Sequence, residues 1–172
     1  MGHADLAYYY DHIGLEALAV KHRYAALLSD PDNEYYKQGL VSHYYGFMLP
    51  DEGAAAEQKL FHRSPSVEYY LIKGMVNEAA PLVEKENAGN ETASLRNPTV
   101  LISRIHRAQL HALQGDFATA ATEIAAVEIE VEKAPRSLPF HHNSYGIAQV
   151  RARMGDAARA LHWLIPGGPN TP

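Results

Sequence analysis

The stretch HALQGDFATAATEI, His111 to Ile124, decides the fold. Two apolar, alanine-rich runs flank a Gly115-Asp116 pair. A glycine just past a helix end takes a positive φ and lets the last carbonyls find partners. An Asp at the next N-cap accepts from the first free amides of the following helix. The stretch therefore predicts a helix that ends, turns back and starts again.

The break recurs. Seven residues before Gly115 stands Ala108, five after it Ala120 and nine after it Ile124. The same offsets from Gly155, 40 residues on, give Ala148, Ala160 and Leu164, and Asp156 again follows the glycine. From Gly74, 41 residues before Gly115, they give Val67, Ala79 and Val83. Gly14 has Ala7 before it, Tyr10 four before, Ala19 five after and Pro31 seventeen after. Small residues let two helix axes approach closely. A short helix pair cannot bury its apolar face alone, so a period of about 40 residues predicts pairs stacked on one another. Asn97-Pro98, Ser64-Pro65 and Ser137-Leu138-Pro139 read as N-caps with a proline in the first turn. Asp30-Pro31-Asp32-Asn33 reads as a turn between units.

Three segments carry a family resemblance: IGLEALAVKHRYAALLSDPDN (residues 13–33), RAQLHALQGDFATAATEIAAV (107–127) and YGIAQVRARMGDAARALHWL (145–164). They resemble the second helices and turns of tetratricopeptide repeats (TPR). The resemblance implies an all-α, right-handed α-solenoid of about five antiparallel helix pairs, forming a single domain over residues 1–172. The units fall at about residues 1–33, 34–65, 66–90, 98–134 and 138–165. In the second, FMLPDEGAAAEQ is expected to spoil the tight glycine turn; the third has a short first helix, Ser66 to Lys73. ENAGNETASLRNP is a polar connector longer than the family uses. Arg104 and Ser144 stand near places where the family carries aromatics. HEAT-like and other helical-pair solenoids fit the same recurrence. The chain starts inside a first helix and has no polar capping helix after Leu164, which predicts a fragment or covered ends.

Composition narrows the function classes. The chain has 172 residues, 47% hydrophobic and 20% charged, an ordinary globular balance. It carries 15 basic and 20 acidic residues, a net charge of -5, with no Lys/Arg cluster of the kind that replaces counterions on nucleic acid. No basic amphipathic helix points to a membrane surface, and no apolar run spans a bilayer. No signal peptide is evident, so a cytoplasmic location is expected. Asn90-Glu91-Thr92 is a sequon that matters only in a secretory compartment. With no cysteine there is neither a disulfide nor a thiolate.

Catalytic patterns are missing. There is no Gly-x-Ser-x-Gly elbow, no phosphate loop and no His-Glu-x-x-His. None of the ten histidines has a second three or four residues away, the spacing that lets one helix face hold an ion. Adjacent His141 and His142 point about 100° apart on a helix. Ligation by distant residues such as His106, His142 and His162 stays open. Asp51-Glu52 beside Pro50 reads as a solvated helix start. Glu128, Glu130 and Glu132 alternate as in a strand but are read as the exposed end of a helix. No catalytic residue, metal site or cofactor is assigned.

Eleven tyrosines are the notable excess, and the runs Tyr8-Tyr9-Tyr10, Tyr35-Tyr36, Tyr44-Tyr45 and Tyr69-Tyr70 all fall in first helices. Tyr10 and Tyr70 occupy the family's core-aromatic position. In TPR arrays the first helices line a concave, peptide-holding groove. Carried over by offset, the groove positions are Tyr8, Asp11 and His12 in the first unit and Tyr35, Gln38, Ser42 and Tyr45 in the second. The fourth unit supplies Ile105 and Gln109, and the fifth His142, Tyr145, Gln149 and Arg153. Tyr and Arg are enriched at binding hot spots. The expected function is a non-enzymatic protein–protein interaction scaffold that takes a protein or peptide partner. The rivals are a structural subunit or regulatory tail docking through its ends, and a histidine-rich metal-binding protein or enzyme.

Overall fold

Helix formation in this chain is punctuated by the turn chemistry of a few residues. A computed structural model describes residues 2–13, 15–89, 93–133 and 138–164, with the backbone alone at His12 and at 138–142. Among the described residues there are ten helices and no strand. They are α1 (His3–His12), α2 (Glu16–Ser29), α3 (Glu34–Gly46), α4 (Pro50–Phe61), α5 (Val67–Lys73), α6 (Val76–Asn87), α7 (Pro98–Leu113), α8 (Phe117–Glu132), α9 (Leu138–Arg153) and α10 (Ala157–Leu164). None of them is long and apolar enough to cross a membrane. The chain divides into two compact units, residues 1–72 and 73–172.

The expected turns form. Gly74, Gly115 and Gly155 have φ of +71°, +80° and +79°, a region where a Cβ would crowd the backbone. Behind Gly115, the Asp116 amide reaches back to the His111 carbonyl at 2.9 Å. The Asp156 amide does the same to Arg151 at 2.9 Å. These are Schellman closures, which satisfy carbonyls the helix itself leaves open. Each Asp then caps the next helix: Asp116 Oδ1 accepts from the Thr119 amide at 3.1 Å and Asp156 Oδ1 from Arg159 at 3.2 Å. Gly14 lies outside the described residues, but the Leu15 amide closes on the Tyr10 carbonyl at 2.9 Å.

The turn between α3 and α4 corrects the expectation that FMLPDEG spoils it. The Leu49 amide closes on Tyr44 at 2.8 Å, and Met48 takes the positive φ, 58°. The closure survives because only one residue must enter the left-handed region, and methionine there is strained rather than forbidden. Counted from Met48, the recurring offsets fall on Val41, Gly53 and Glu57, all buried.

Starts follow their caps. Asn97 Oδ1 accepts from the Thr99 amide at 3.0 Å ahead of Pro98. Asn33 Oδ1 accepts from Tyr35 and Tyr36, closing the 30–33 turn. Asp51 and Glu52 sit exposed in the first turn of α4 behind Pro50. Ser64-Pro65 opens no helix: residues 62–66 are non-helical and α5 begins at Val67. The segment is held off the helical path by the Ser66 amide, which donates to Glu57 Oε2 at 2.7 Å. Ser137 lies outside the described residues.

In the first unit α1 packs on α2, α2 on α3 and α3 on α4. Its interior includes Ala7, Ala19, Ala26, Leu40, Val41, Tyr45, Ala56 and Leu71. Gly53 permits the closest approach, since a Cβ there would lie 2.6 Å from the Tyr45 ring. Tyr69 packs against the Val41–Tyr45–Ala56 cluster, whereas Tyr10 and Tyr70, expected as core aromatics, are half-buried.

In the second unit α7 packs on α6, α8 and α9, and α9 packs on α8 and α10. Ala108, Ala120, Ile124, Ala148 and Ala160, predicted by their offsets, are all buried. Leu164 breaks the pattern at 46% exposed; its neighbour Trp163 turns inward instead, at 5%. The residues at 128–132 are helical, as expected, but Glu128 is buried rather than exposed. Its burial follows from its partners on α9 and α10.

Candidate functional site

Each unit buries charge. In the first, Glu57 on α4 is wholly enclosed. It accepts from Tyr45 Oη at 2.5 Å, Arg63 Nη2 at 2.7 Å and the Ser66 amide at 2.7 Å. Four bonds, counting Arg63 Nε at 3.2 Å, compensate the loss of hydration that makes a buried carboxylate costly. Burial and the bond to Glu57 push the Tyr45 hydroxyl well above its ordinary pKa.

Asp11 joins α1 to its neighbours: its carboxylate accepts from Arg23 on α2 and meets His43 Nδ1 on α3 at 2.8 Å. Burial works to raise the Asp11 pKa. The His43 bond and the Arg23 charge outweigh it, and the carboxyl lies below its usual range. His43 Nε2 is buried without a hydrogen-bond partner among the described residues.

In the second unit Glu128 on α8 meets Arg151 on α9 in a bidentate pair, Nε–Oε1 2.8 Å and Nη2–Oε2 2.5 Å. The Trp163 indole N–H from α10 donates to the same Oε1 at 2.9 Å. The bond to Glu128 and its charge raise the Arg151 pKa against the effect of burial. Arg104 and Arg107 of α7 grip Glu123 at 3.0 and 2.5 Å.

The residues expected to face a partner divide sharply. Tyr35 is 74% exposed and Tyr145 60%; Gln38 and Arg153 are also exposed. Tyr145, Gln149 and Arg153 follow one another at four-residue steps along one face of α9. Tyr8 is half-buried. Asp11 is committed to Arg23 and His43. Tyr45, Ile105 and Gln109 are buried, which takes them off any partner-facing surface. Each is occupied inside: Tyr45 by Glu57, Ile105 against Gly146, and Gln109 by Gln149, whose Oε1 accepts its amide at 2.8 Å. The His12 and His142 side chains lie outside the described residues.

Of the histidines considered as distant ligands, the His142 side chain lies outside the described residues. His106 Nδ1 meets Glu86 at 2.8 Å and His162 lies edge-on to Trp163. Among the described residues no three His, Asp or Glu side chains form a cluster able to hold a metal ion.

Glu57 and Glu128, the two buried hubs, escape sequence reasoning. Glu57 stands nine after Met48, a place readable only once Met48 is taken for the glycine. No local signal marks Glu128, whose partners lie 23 and 35 residues away. No protein-family model matches the chain, no curated protein matches it at a significant level, and no solved structure does so either.

Proposed function

We propose that the chain is a non-enzymatic scaffold of five stacked helix pairs, a TPR-like solenoid, that binds an extended or helical peptide along its first helices. The pairing of Gln109 with Gln149, its counterpart 40 residues on, across the α7–α9 contact carries this reading. Like residues meeting like from one unit to the next is what a stacked array requires. The turn closures at Leu15 and Leu49, 34 positions apart, agree with the TPR period. Tyr145 supports the binding half: a large aromatic left exposed on the face that also carries Gln149 and Arg153 is the kind of anchor that dominates interfaces.

The test selects peptides from a displayed random library on the intact protein. Affinities are then compared with those of the Tyr145→Ala, Arg153→Ala double variant, its fold checked by circular dichroism. At least a tenfold loss is expected, since a hot-spot pair carries more than about 1.4 kcal/mol. Unchanged affinity for every selected peptide would defeat the proposal. A second reading, docking through the end of the stack, draws on the exposure of Leu161 (59%) and Leu164 (46%) on α10. It predicts concentration-dependent association that a Leu161→Gln, Leu164→Gln variant abolishes.

A further inference from the structure

We propose that the outward face of α2 docks a basic amphipathic helix, a segment of another protein whose apolar stripe is flanked by Lys and Arg. α2 packs on α1 and α3 and buries Ala19 and Ala26. Facing away from these two, Leu18 is 38% exposed, Tyr24 43% and Leu28 80%. Ala17, Lys21, Tyr24 and Leu28 are all exposed and follow one another at helical spacing, so they form one stripe. At 1.5 Å per residue the stripe is about 17 Å long, roughly three turns. Tyr24 is held in place within it, because its hydroxyl meets that of Tyr44 on α3 at 3.1 Å. A ring already fixed loses little freedom when a partner covers it.

Charge selects what covers the stripe. The net charge of -5 lies wholly within residues 1–72, while acidic and basic residues balance over 73–172. Glu16 stands in the first turn of α2, and the exposed Asp30 and Asp32 follow its last turn. Burial, the bond to Tyr24 and the charges of Tyr24 and Glu52 push the Tyr44 hydroxyl up to about 12, so Glu52 lies near the stripe too. Lys21 does not cancel this rim: a lysine covers apolar surface with its methylenes while its ammonium stays in water. A carboxylate rim repels anionic lipid and nucleic acid, and it repels the same face of a second copy. It attracts a cationic segment. A helix whose own apolar side is laid along the stripe buries both at once. α2 is the second helix of its pair, so this face is separate from the first-helix groove and the inference is independent of the scaffold reading.

The experiment titrates the full chain into three fluorescently labelled peptides of about 15 residues, long enough to match the stripe, and reads anisotropy. One is a designed amphipathic helix with a leucine seam and Lys/Arg flanks. The second keeps the seam and carries Glu on its flanks, and the third is the basic peptide scrambled. The basic helix is expected to bind at least about tenfold tighter than either control, and its affinity should fall as salt rises. Leu28→Gln and Tyr24→Ala, with circular dichroism unchanged, should each weaken it by at least about tenfold. Asp32→Asn with Glu52→Gln should weaken it and flatten the salt dependence. Tyr145→Ala with Arg153→Ala should leave it unchanged, which separates this face from the groove. Equal binding of the basic helix and either control would overturn the proposal, as would an affinity that Leu28→Gln does not move. So would self-association that Leu28→Gln abolishes, because it would seat a second copy on the face.

Discussion

Replacing Arg151 by Met is expected to be among the most damaging single substitutions in the second unit. Arg151 is 3% exposed and supplies two of the three hydrogen bonds that Glu128 receives, at 2.8 and 2.5 Å. Methionine fills much of the arginine's volume, so packing is largely kept and the loss is electrostatic. Glu128 keeps only the Trp163 indole on Oε1, and Oε2 is left without its donor. Breaking a buried ion pair from one side costs about 3–5 kcal/mol, a large part of the roughly 5–15 kcal/mol that holds a domain folded. The melting temperature of a 100-residue unit should fall by more than about 12 °C at 4–8 °C per kcal/mol. Trp163, the one tryptophan in the chain, sits inside the network and reports its unfolding by fluorescence in urea. The companion variant Glu128→Gln with Arg151→Met removes the stranded charge and should recover most of the loss, because an apolar or neutral replacement of a whole pair is often nearly neutral. A loss below about 1 kcal/mol for Arg151→Met would refute the reasoning, as would a double variant no better than the single.

Further outcomes follow from the turns and the first unit. Met48→Gly should raise stability by about 0.5–1 kcal/mol in thermal melts, because relief of a positive φ of 58° outweighs the entropy that glycine loses on folding. Gly115→Ala, at φ +80°, should lower it by a similar or larger amount. The Asp11 carboxyl lies below its ordinary pKa in the folded state, so its stabilisation is fully present above the unfolded value of about 3.9 and is lost as pH falls through the lower folded value. Hydrogen-exchange protection over residues 3–61, corrected for the intrinsic rate at each pH, should weaken as pH drops below about 4, and Asp11→Asn should show less of that acid dependence while starting from a less stable state.

What is legible in the sequence is what is local. A positive-φ glycine, an Asp after it and an Asn-Pro start act within four or five residues, so Gly115-Asp116, Gly155-Asp156 and Asn97-Pro98 read correctly from the chain alone. Alanine at fixed offsets from those turns reads correctly too, because the turn sets which face goes inward. Met48 is missed because a left-handed turn leaves no necessary mark in residue type when another side chain bears the strain. Tyr45 and Gln109 are misplaced because a groove offset says which way a side chain leaves its helix and not what stands opposite. Glu128 is misread for the same reason: its solvent-like neighbours in sequence say nothing of Arg151 and Trp163.

The sequence by itself determined the all-helical fold of the described residues, the places where it turns and the small residues it buries. Backbone hydrogen bonding and capping act over one helical turn, and the residues that satisfy them are written side by side. Only tertiary structure decided which polar groups are spent inside, at Glu57, Asp11 and Glu128, and which tyrosines stay in water. A charge can be buried only when a partner arrives from another helix, and that arrival depends on how the helices pack, not on any one of them.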